Sequence, residues 1–595
     1  MEKEMEKDFE VEAPKSIPHW RLIIDRARVT QDVLTHQYTG EGTAEDPFIV
    51  TWIPNDPGNP MQFSPSKKWF VSGIAAVSML ATAFNSSAFS GSIREIIFGF
   101  DISIEVATLG VSLFVLGFAL GPLIWAPLSE MYGRQVVFAI SYGGFTAFNA
   151  AAPASKNIQT LLVLRFFAGS FGSSPLTNAG GQIADIFNAS ERGLAMGLFA
   201  LAPFLGPTIG PIAGGFLGQS KGWKWVEGLM TIFSGVMWIF GLLFVPETYA
   251  PVLLQKRAEK LSLMTGKVYR TQGDAAGRMA ASKRLQIALV RPWILLFKEP
   301  IVLVLSIYMA IIYGTLYMLF GALPICFQEV RGWSEGIGGL AFLGVAVGMI
   351  FAVMLVPLGN KQYRRAAAEH GGIAPPEARL VSAMAGAVAI PLGLFWFAWT
   401  NYASIHWISS VMAGAPFGFG MVVIFLAVTN YLIDAYTIFA ASVLAANSVL
   451  RSLFGFAFPL FTQYMYANLG IHWASSVPAF LALACLPAPF FLYRYGASIR
   501  ARCEYAAQSE AVMRSLRMGQ EVDAGDGTGE QGNTSDEVSV GGETVSDEED
   551  HVPAINKTKT SASKASLRAA GTAYHTSPFD LDRVHTHDSL SGLPR

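Results

Sequence analysis

Two arginines stand inside stretches that are otherwise apolar. Arg165 lies in Leu161-Leu162-Val163-Leu164-Arg165-Phe166-Phe167-Ala168-Gly169, and Arg451 in Asn447-Ser448-Val449-Leu450-Arg451-Ser452. A cation at the centre of an apolar helix costs about 2.5–3.5 kcal/mol on insertion scales. It is therefore expected to face the interior of a helix bundle, against a hydrogen-bonding partner. For Arg165 the alternative is snorkelling to the outer interface, since it sits in the first third of its stretch. A second group is Ala126-Pro127-Leu128-Ser129-Glu130-Met131-Tyr132-Gly133-Arg134. It reads as a tight turn in which Gly133 takes positive φ. Glu130 ends one helix and Arg134 starts the next. The acid and the base can pair with each other or with a neighbouring helix and so latch one conformation. As an exposed surface pair they would contribute less than about 1 kcal/mol. A third is Gly206-Pro207-Thr208-Ile209-Gly210-Pro211-Ile212-Ala213-Gly214-Gly215. Glycine and proline at this density would break a helix in water. In a membrane, neighbouring helices satisfy the freed backbone groups and glycines allow close approach.

Such groups need a membrane to hold them, and the composition supplies one. The chain has 595 residues, 52% hydrophobic and 14% charged, with mean hydropathy +0.39. Twelve apolar stretches are each long enough to cross a ~30 Å hydrocarbon core. The first six are Trp69–Phe89, Ile104–Leu128, Val136–Pro153, Thr160–Ile183, Leu194–Leu217 and Leu229–Val245. The other six are Ile301–Phe327, Ile337–Leu358, Leu380–Trp399, Ile405–Leu432, Ile438–Tyr464 and Trp473–Tyr493. The expected fold is an all-α polytopic membrane protein, with twelve transmembrane helices in two six-helix bundles.

The domain plan follows. Residues 1–68 form a cytosolic N-terminal tail, expected to be loosely ordered, with a short helix around Trp20–Val29 as the alternative. Residues 69–245 form the first bundle, 246–300 a polar cytosolic linker and 301–494 the second bundle. Residues 495–595 form a mostly disordered cytosolic tail, poor in apolar residues and rich in Gly, Ser, Thr and acids. Its runs at Ser535 and Ser546 read as acidic-directed phosphorylation sites or as a solvating tail. The linker carries about ten Lys and Arg, and Arg134, Arg192, Arg364, Arg365 and Arg379 lie on the same side. The opposite side has about five, among them Arg94, Lys156 and Arg331. The positive-inside rule makes the first side cytosolic. No outer loop carries a glycosylation sequon.

The turn at Leu128, Gly133 and Arg134 resembles the signature Gly-x-Leu-Ala-Asp-Arg-x-Gly-Arg of the major facilitator superfamily. Ala126 stands for its first glycine and Glu130 for its aspartate. The resemblance implies a conformational gating role for Glu130, Gly133 and Arg134. The stretch around Arg165 resembles the antiporters' Leu-x-x-x-Arg-x-x-Gln-Gly, with Ala168 in place of the glutamine. This implies proton coupling through Arg165. Gly206, Pro207, Gly210, Pro211, Gly214 and Gly215 resemble the signature that separates antiporters from symporters and uniporters. Pro246-Glu247-Thr248-Tyr249 is a further hallmark. Tyr313-Gly314-Thr315-Leu316-Tyr317 and the run from Asn430 to Ser452 resemble the fungal drug:proton antiporter branch with twelve spans, which includes drug and polyamine exporters. The resemblance covers roughly Lys67 to Arg500.

Substrate sites of such folds lie near the midplane between the halves. Candidates are Asn85, Asn178, Tyr313, Tyr317, Asn430, Asn447 and Arg451, with Phe320, Phe417 and Phe419 as an aromatic wall. Each polar one can equally serve as a helix–helix hydrogen bond, and the aromatics as packing. Acidic residues are nearly missing from the spans. Glu105 and Asp185 lie nearest, at span ends where capping or loop roles fit better, so the proton carrier is not identified.

The implied function is a proton-coupled exporter of drugs, fungicides or endogenous toxic metabolites working by alternating access. The alternatives are a polyamine exporter, an uptake symporter or a substrate sensor. A membrane-embedded enzyme would need clustered His, Asp or Ser at a membrane face, which the sequence lacks. No Gly-x-x-x-x-Gly-Lys-Ser/Thr loop is present, which disfavours ATP drive. Three scattered cysteines and nine scattered histidines indicate neither a disulfide framework nor a metal site, and no cofactor is expected. The net charge of −2 gives no nucleic-acid signature. The expected partners are a small-molecule substrate, protons and the lipid bilayer. A monomer in the plasma membrane, or alternatively in the vacuolar membrane, with both termini cytosolic, completes the expectation.

Overall fold

An apolar run inside a bilayer has no water to bond its backbone, so helix is the state that satisfies every N–H and C=O within the segment. The computed structural model describes residues 17–275, 281–369 and 374–514. Among them are ten helical stretches long and apolar enough to cross a membrane. In the first half these are Pro65–Phe100, Ile104–Tyr132, Arg134–Ala154, Ala195–Lys221 and Trp223–Phe244. In the second they are Pro300–Glu329, Glu335–Glu369, Pro376–Trp399, Trp407–Ala435 and Thr437–Arg500.

Two local breaks turn these ten stretches into twelve spans. The fourth span is divided into Ile158–Gly172 and Ser174–Ile186, because Pro175 has no N–H to continue the ladder. The last stretch is 64 residues long, about 96 Å if straight, three times the hydrocarbon thickness. Gly470, at φ 72° and ψ 164°, separates it into the eleventh and twelfth spans. The expected all-α architecture of two six-helix bundles is present.

Several span edges differ from expectation, one with consequences. The sixth span starts at Trp223 rather than Leu229, which brings Glu227 into the membrane. The eighth runs on as helix to Glu369, so the loop expected to begin at Gly359 is largely helical. The linker is not a plain polar loop either. It contains the helices Ala250–Thr265 and Ala281–Lys298 and a short strand.

The expectation of a loosely ordered N-terminal tail is overturned. After a short helix His19–Ile24, residues 17–64 fold onto the linker. Strand β1 (Phe48–Val50) pairs in parallel with strand β2 (Tyr269–Thr271), with Phe48 opposite Tyr269 and Val50 opposite Thr271. Ala27, Val29, Val33, Tyr38 and Val50 share a small core with Ala258 and Leu261. Two buried arginines hold the arrangement. Arg257 forms an ion pair with Asp56 at 2.5 Å, both side chains 1% exposed or less, beneath the ring of Trp52. Arg28 donates to the carbonyls of Gly58 at 2.7 Å and Glu247 at 2.6 Å. Burial pushes the Arg28 guanidinium down to about 10, against the pull of Glu247. The sequence hides this unit because its core partner lies some two hundred residues away.

The C-terminal segment is also ordered further than expected. Tyr505 and Ala506 pack beneath the second bundle, and the Tyr505 ring meets Phe439. The expected phosphorylation sites at Ser535 and Ser546 lie outside the described residues.

Breaking a buried pair from one side typically costs about 3–5 kcal/mol. In Asp56→Ala, trypsin should cut within residues 17–64 about tenfold or more faster than in wild type, as local opening becomes easier. Equal cleavage rates would show that the pair does not hold this segment.

Candidate functional site

The turn between the second and third spans is built as a charge cluster. Gly133 has φ 95°, and a side chain there would strike the Glu247 carboxylate. Glu247 reaches from the end of the sixth span and accepts four backbone N–H bonds. They come from Arg134, Gln135, Thr248 and Tyr249, at 2.9–3.2 Å. One carboxylate thus caps two helix N-termini, where negative charge is favoured. The Arg134 side chain turns the other way. It donates to Asp185 at 3.1 Å and to Ser129 at 2.6 Å, and lies 4.6 Å from the Tyr249 ring centre. Asp185 is therefore the ion-pair partner of Arg134, not a plain capping or loop residue. Glu130 acts on Arg134 electrostatically and is exposed. Glu105 does sit at a helix end, bonded to Ser103.

The second half repeats the plan. Arg379, before the ninth span, pairs with Asp434 at the end of the tenth at 2.9 Å and stacks on Tyr363. Arg500, at the end of the twelfth, donates twice to Glu377, at 2.8 and 3.2 Å.

The Gly206–Gly215 segment lies in one unbroken helix, Ala189–Lys221, despite its prolines. The reason is its neighbour. A Cβ on Gly206 would fall 2.7 Å from Ala83, and one on Gly210 or Gly214 would strike Ser87 or Ala88 of the first span. Gly215 faces across the halves, where a Cβ would lie 2.7 Å from the Glu335 carbonyl. Gly339 answers it, with the Pro211 carbonyl at the same 2.7 Å. The halves thus meet backbone to backbone at the end away from the linker. Toward the linker end they meet through Ala119 and Leu123 against Val449.

Arg165 is fully buried, so the snorkelling alternative does not hold. It donates to the Gly110 carbonyl at 3.1 Å and the Asn85 carbonyl at 2.9 Å, between the rings of Phe89 and Phe114. One guanidinium therefore ties the first, second and fourth spans together. Glu227, of the sixth, interacts with it electrostatically. Glu227 is 1% exposed, and neither of its oxygens accepts a hydrogen bond among the described residues. This is the intramembrane carboxylate that the sequence reading missed. The signal was present, since Trp223 and Trp225 mark a span start on the N-terminal side of Glu227.

Next to Asn85 a second line crosses between the halves. Ser86 bonds the Tyr317 hydroxyl at 2.7 Å, and Tyr317 reaches Tyr313 at 3.4 Å. The Arg451 guanidinium lies 4.9 Å from the Tyr313 ring centre and 5.2 Å from that of Phe425. Phe204, from the fifth span, packs edge-on against both rings. Tyr313, Tyr317 and Arg451 are thus brought together, joined by Ser86, Phe204 and Phe425, which had not been singled out.

The other candidates fall elsewhere. The Asn85 and Asn430 amides bond carbonyls of their own helices, and Asn178 bonds Ser174. Asn447 reaches Ser306 and Met309 within the second half. Phe320 packs between Tyr317 and Phe342, at the edge of the line. Phe417 lines a small cavity of about 20 Å³ inside the second bundle, beside Leu394 and Phe397. Phe419 packs on Phe351, which is exposed on the helix surface. Phe417 and Phe419 thus lie apart from the rings of Tyr313, Phe425 and Phe204 that gather near Arg451.

Residues 75–459 match the family model described as Major Facilitator Superfamily. The chain belongs to the major facilitator superfamily. It is 57% identical over 593 residues to the major facilitator superfamily multidrug transporter mdrA of Aspergillus fumigatus, covering 98% of both chains. It is likewise 57% identical to the MFS-type efflux pump MFS2 of Trichophyton rubrum, covering 96% of both. The efflux pump FUBT of Fusarium oxysporum is 53% identical, with 84% of each chain covered. Among solved structures, the proton:xylose symporter XylE aligns with a TM-score of 0.53 over 73% of this chain and 96% of its own, at 15% identity. That likeness shows the fold alone. This major facilitator protein is a polytopic membrane transporter and not an enzyme.

The four-bond acceptance by Glu247 gives a prediction. Glu247→Gln places an amide N–H₂ among backbone donors, and each buried donor left unsatisfied costs about 1–3 kcal/mol. The variant should melt several degrees lower in detergent than wild type. An unchanged melting temperature would show that the carboxylate is not needed as a cap.

Proposed function

We propose that this protein is a proton-coupled exporter of small organic compounds, working by alternating access in the plasma membrane with both termini cytosolic. Relatives covering nearly the whole chain are called a multidrug transporter and an efflux pump, which supports export. The observation that carries proton coupling is the buried Arg165 with Glu227 beside it. Intramembrane carboxylates of this kind serve as proton relays in pumps and transporters. Glu227 holds a proton in one half of the cycle and releases it in the other. Arg165, anchored on three spans, makes its charge state matter to the whole first bundle.

The contacts between the halves support alternating access. At the outer end, Glu95 of the first half and Glu335 of the second interact side chain to side chain, with Arg94 beside Glu335 at 3.9 Å. One buried oxygen on each has no partner among the described residues. At the inner end, the two charge clusters hold each bundle as a rigid body that can rock about the centre. The Lys and Arg bias of the loops supports the cytosolic placement of the linker.

The test uses efflux-deficient yeast expressing the full chain and a panel of toxic compounds. Wild type should lower the accumulation of at least one compound, and a proton uncoupler should restore it. Arg165→Ala should abolish export at unchanged surface expression. Glu227→Gln should lose the dependence on the pH gradient. Normal, uncoupler-sensitive export by both variants would sink the coupling assignment.

A further inference from the structure

Five arginines are buried among the described residues: Arg28, Arg165, Arg257, Arg451 and Arg500. Four of them donate two or more hydrogen bonds to carbonyl or carboxylate oxygens. Arg28 has the carbonyls of Gly58 and Glu247, Arg165 those of Gly110 and Asn85, Arg257 has Asp56, and Arg500 has Glu377. Arg451 is the exception. It is 6% exposed, its buried Nε has no partner, and no hydrogen bond or ion pair reaches it from any described residue. The rings of Tyr313 and Phe425 lie against it. Ring faces attract a cation modestly, whereas a buried guanidinium nitrogen left without an acceptor is expensive. A guanidinium in this setting is able to receive an oxyanion.

Its position says where that oxyanion comes from. The eleventh span starts at the inner face, and Arg451 lies eleven residues past Ala440, about 17 Å along the helix and close to the midplane. The rings beside it join both halves, since Phe204 of the first packs on Tyr313 and Phe425 of the second. A compound here would touch both bodies that alternating access moves. A guanidinium fork matches a carboxylate bidentately. Aromatic walls around one fixed polar group suit a flat apolar body.

We propose that the Arg451 guanidinium receives the carboxylate of a planar organic acid whose ring lies against Tyr313, Phe425 and Phe204, so that the expelled compounds include weak organic acids. This rests on the efflux reading above and names a substrate class within it. A carboxylic acid is ionised at cytosolic pH and arrives as the anion that the site lacks. The Tyr317 and Tyr313 hydroxyls then connect the bound anion to Ser86, next to the residue whose carbonyl anchors Arg165.

Two measurements test it. In efflux-deficient yeast expressing the full chain, labelled salicylate is compared with its neutral counterpart salicylamide and with the cationic dye rhodamine 6G. Wild type should lower salicylate accumulation several-fold. Arg451→Gln should lower salicylate export several-fold more than it lowers export of whichever neutral or cationic compound wild type expels, and Arg451→Lys should recover part of the salicylate export. In purified protein, salicylate should raise the melting temperature of wild type and not of Arg451→Gln. Salicylate export by Arg451→Gln equal to wild type, or equal loss of all compounds, would overturn the proposal. So would a wild type that expels salicylamide or the dye but not salicylate, which leaves the efflux reading intact. A wild type that expels no compound on the broader panel defeats the efflux reading itself.

Discussion

A charge removed from water must meet an opposite charge or several hydrogen bonds, and this constraint organises the molecule. Arg28 and Arg257 meet it by drawing residues 17–64 onto the linker. Arg134 and Glu247 meet it by fastening the second–third turn to the ends of the fourth and sixth spans. Arg165 meets it with carbonyls from the first and second spans. Apolar packing alone would let twelve greasy helices slide past one another, because lipid tails are as apolar as leucine. The buried cations are what fix their register.

The same constraint separates the parts that stay rigid from the part that is free to change. The charge clusters at the linker end of both bundles are closed networks, in which Glu247, Asp434 and Glu377 are satisfied by donors from different elements. Between them lie two groups that are not closed off: among the described residues Glu227 accepts no hydrogen bond and Arg451 meets no acceptor, and these are the places proposed for the proton and the anion. Rigid ends around an unsatisfied centre are the arrangement that lets bound species shift the balance between two conformations.

Much of this was legible in the sequence, and the exceptions have physical causes. The twelve spans, the positive φ at Gly133 and the close approach at Gly206–Gly215 follow from hydrophobic length and from glycine's missing side chain. Glu227 was missed because hydropathy alone starts the sixth span at Leu229, whereas the helix begins six residues earlier at Trp223. The folding of residues 17–64 was missed because its core partners lie in the linker, and no local periodicity reports a contact across so many residues. For Arg134 the sequence leaves Glu130 and a neighbouring helix both open as partners, and the geometry sends the side chain to Asp185, fifty-one residues on. Arg451 was legible as a buried cation. That it lacks an acceptor is a property of its surroundings, which only the fold shows.

The central claim is that export is driven by protons through the Arg165–Glu227 pair. The most direct measurement is proton movement in proteoliposomes holding the purified full chain and a trapped pH dye, with a compound that the cells expel placed on one side. A gradient of that compound should drive protons the opposite way in wild type, with no such flux in Glu227→Gln. Movement of the compound with no accompanying proton flux in wild type would contradict the account.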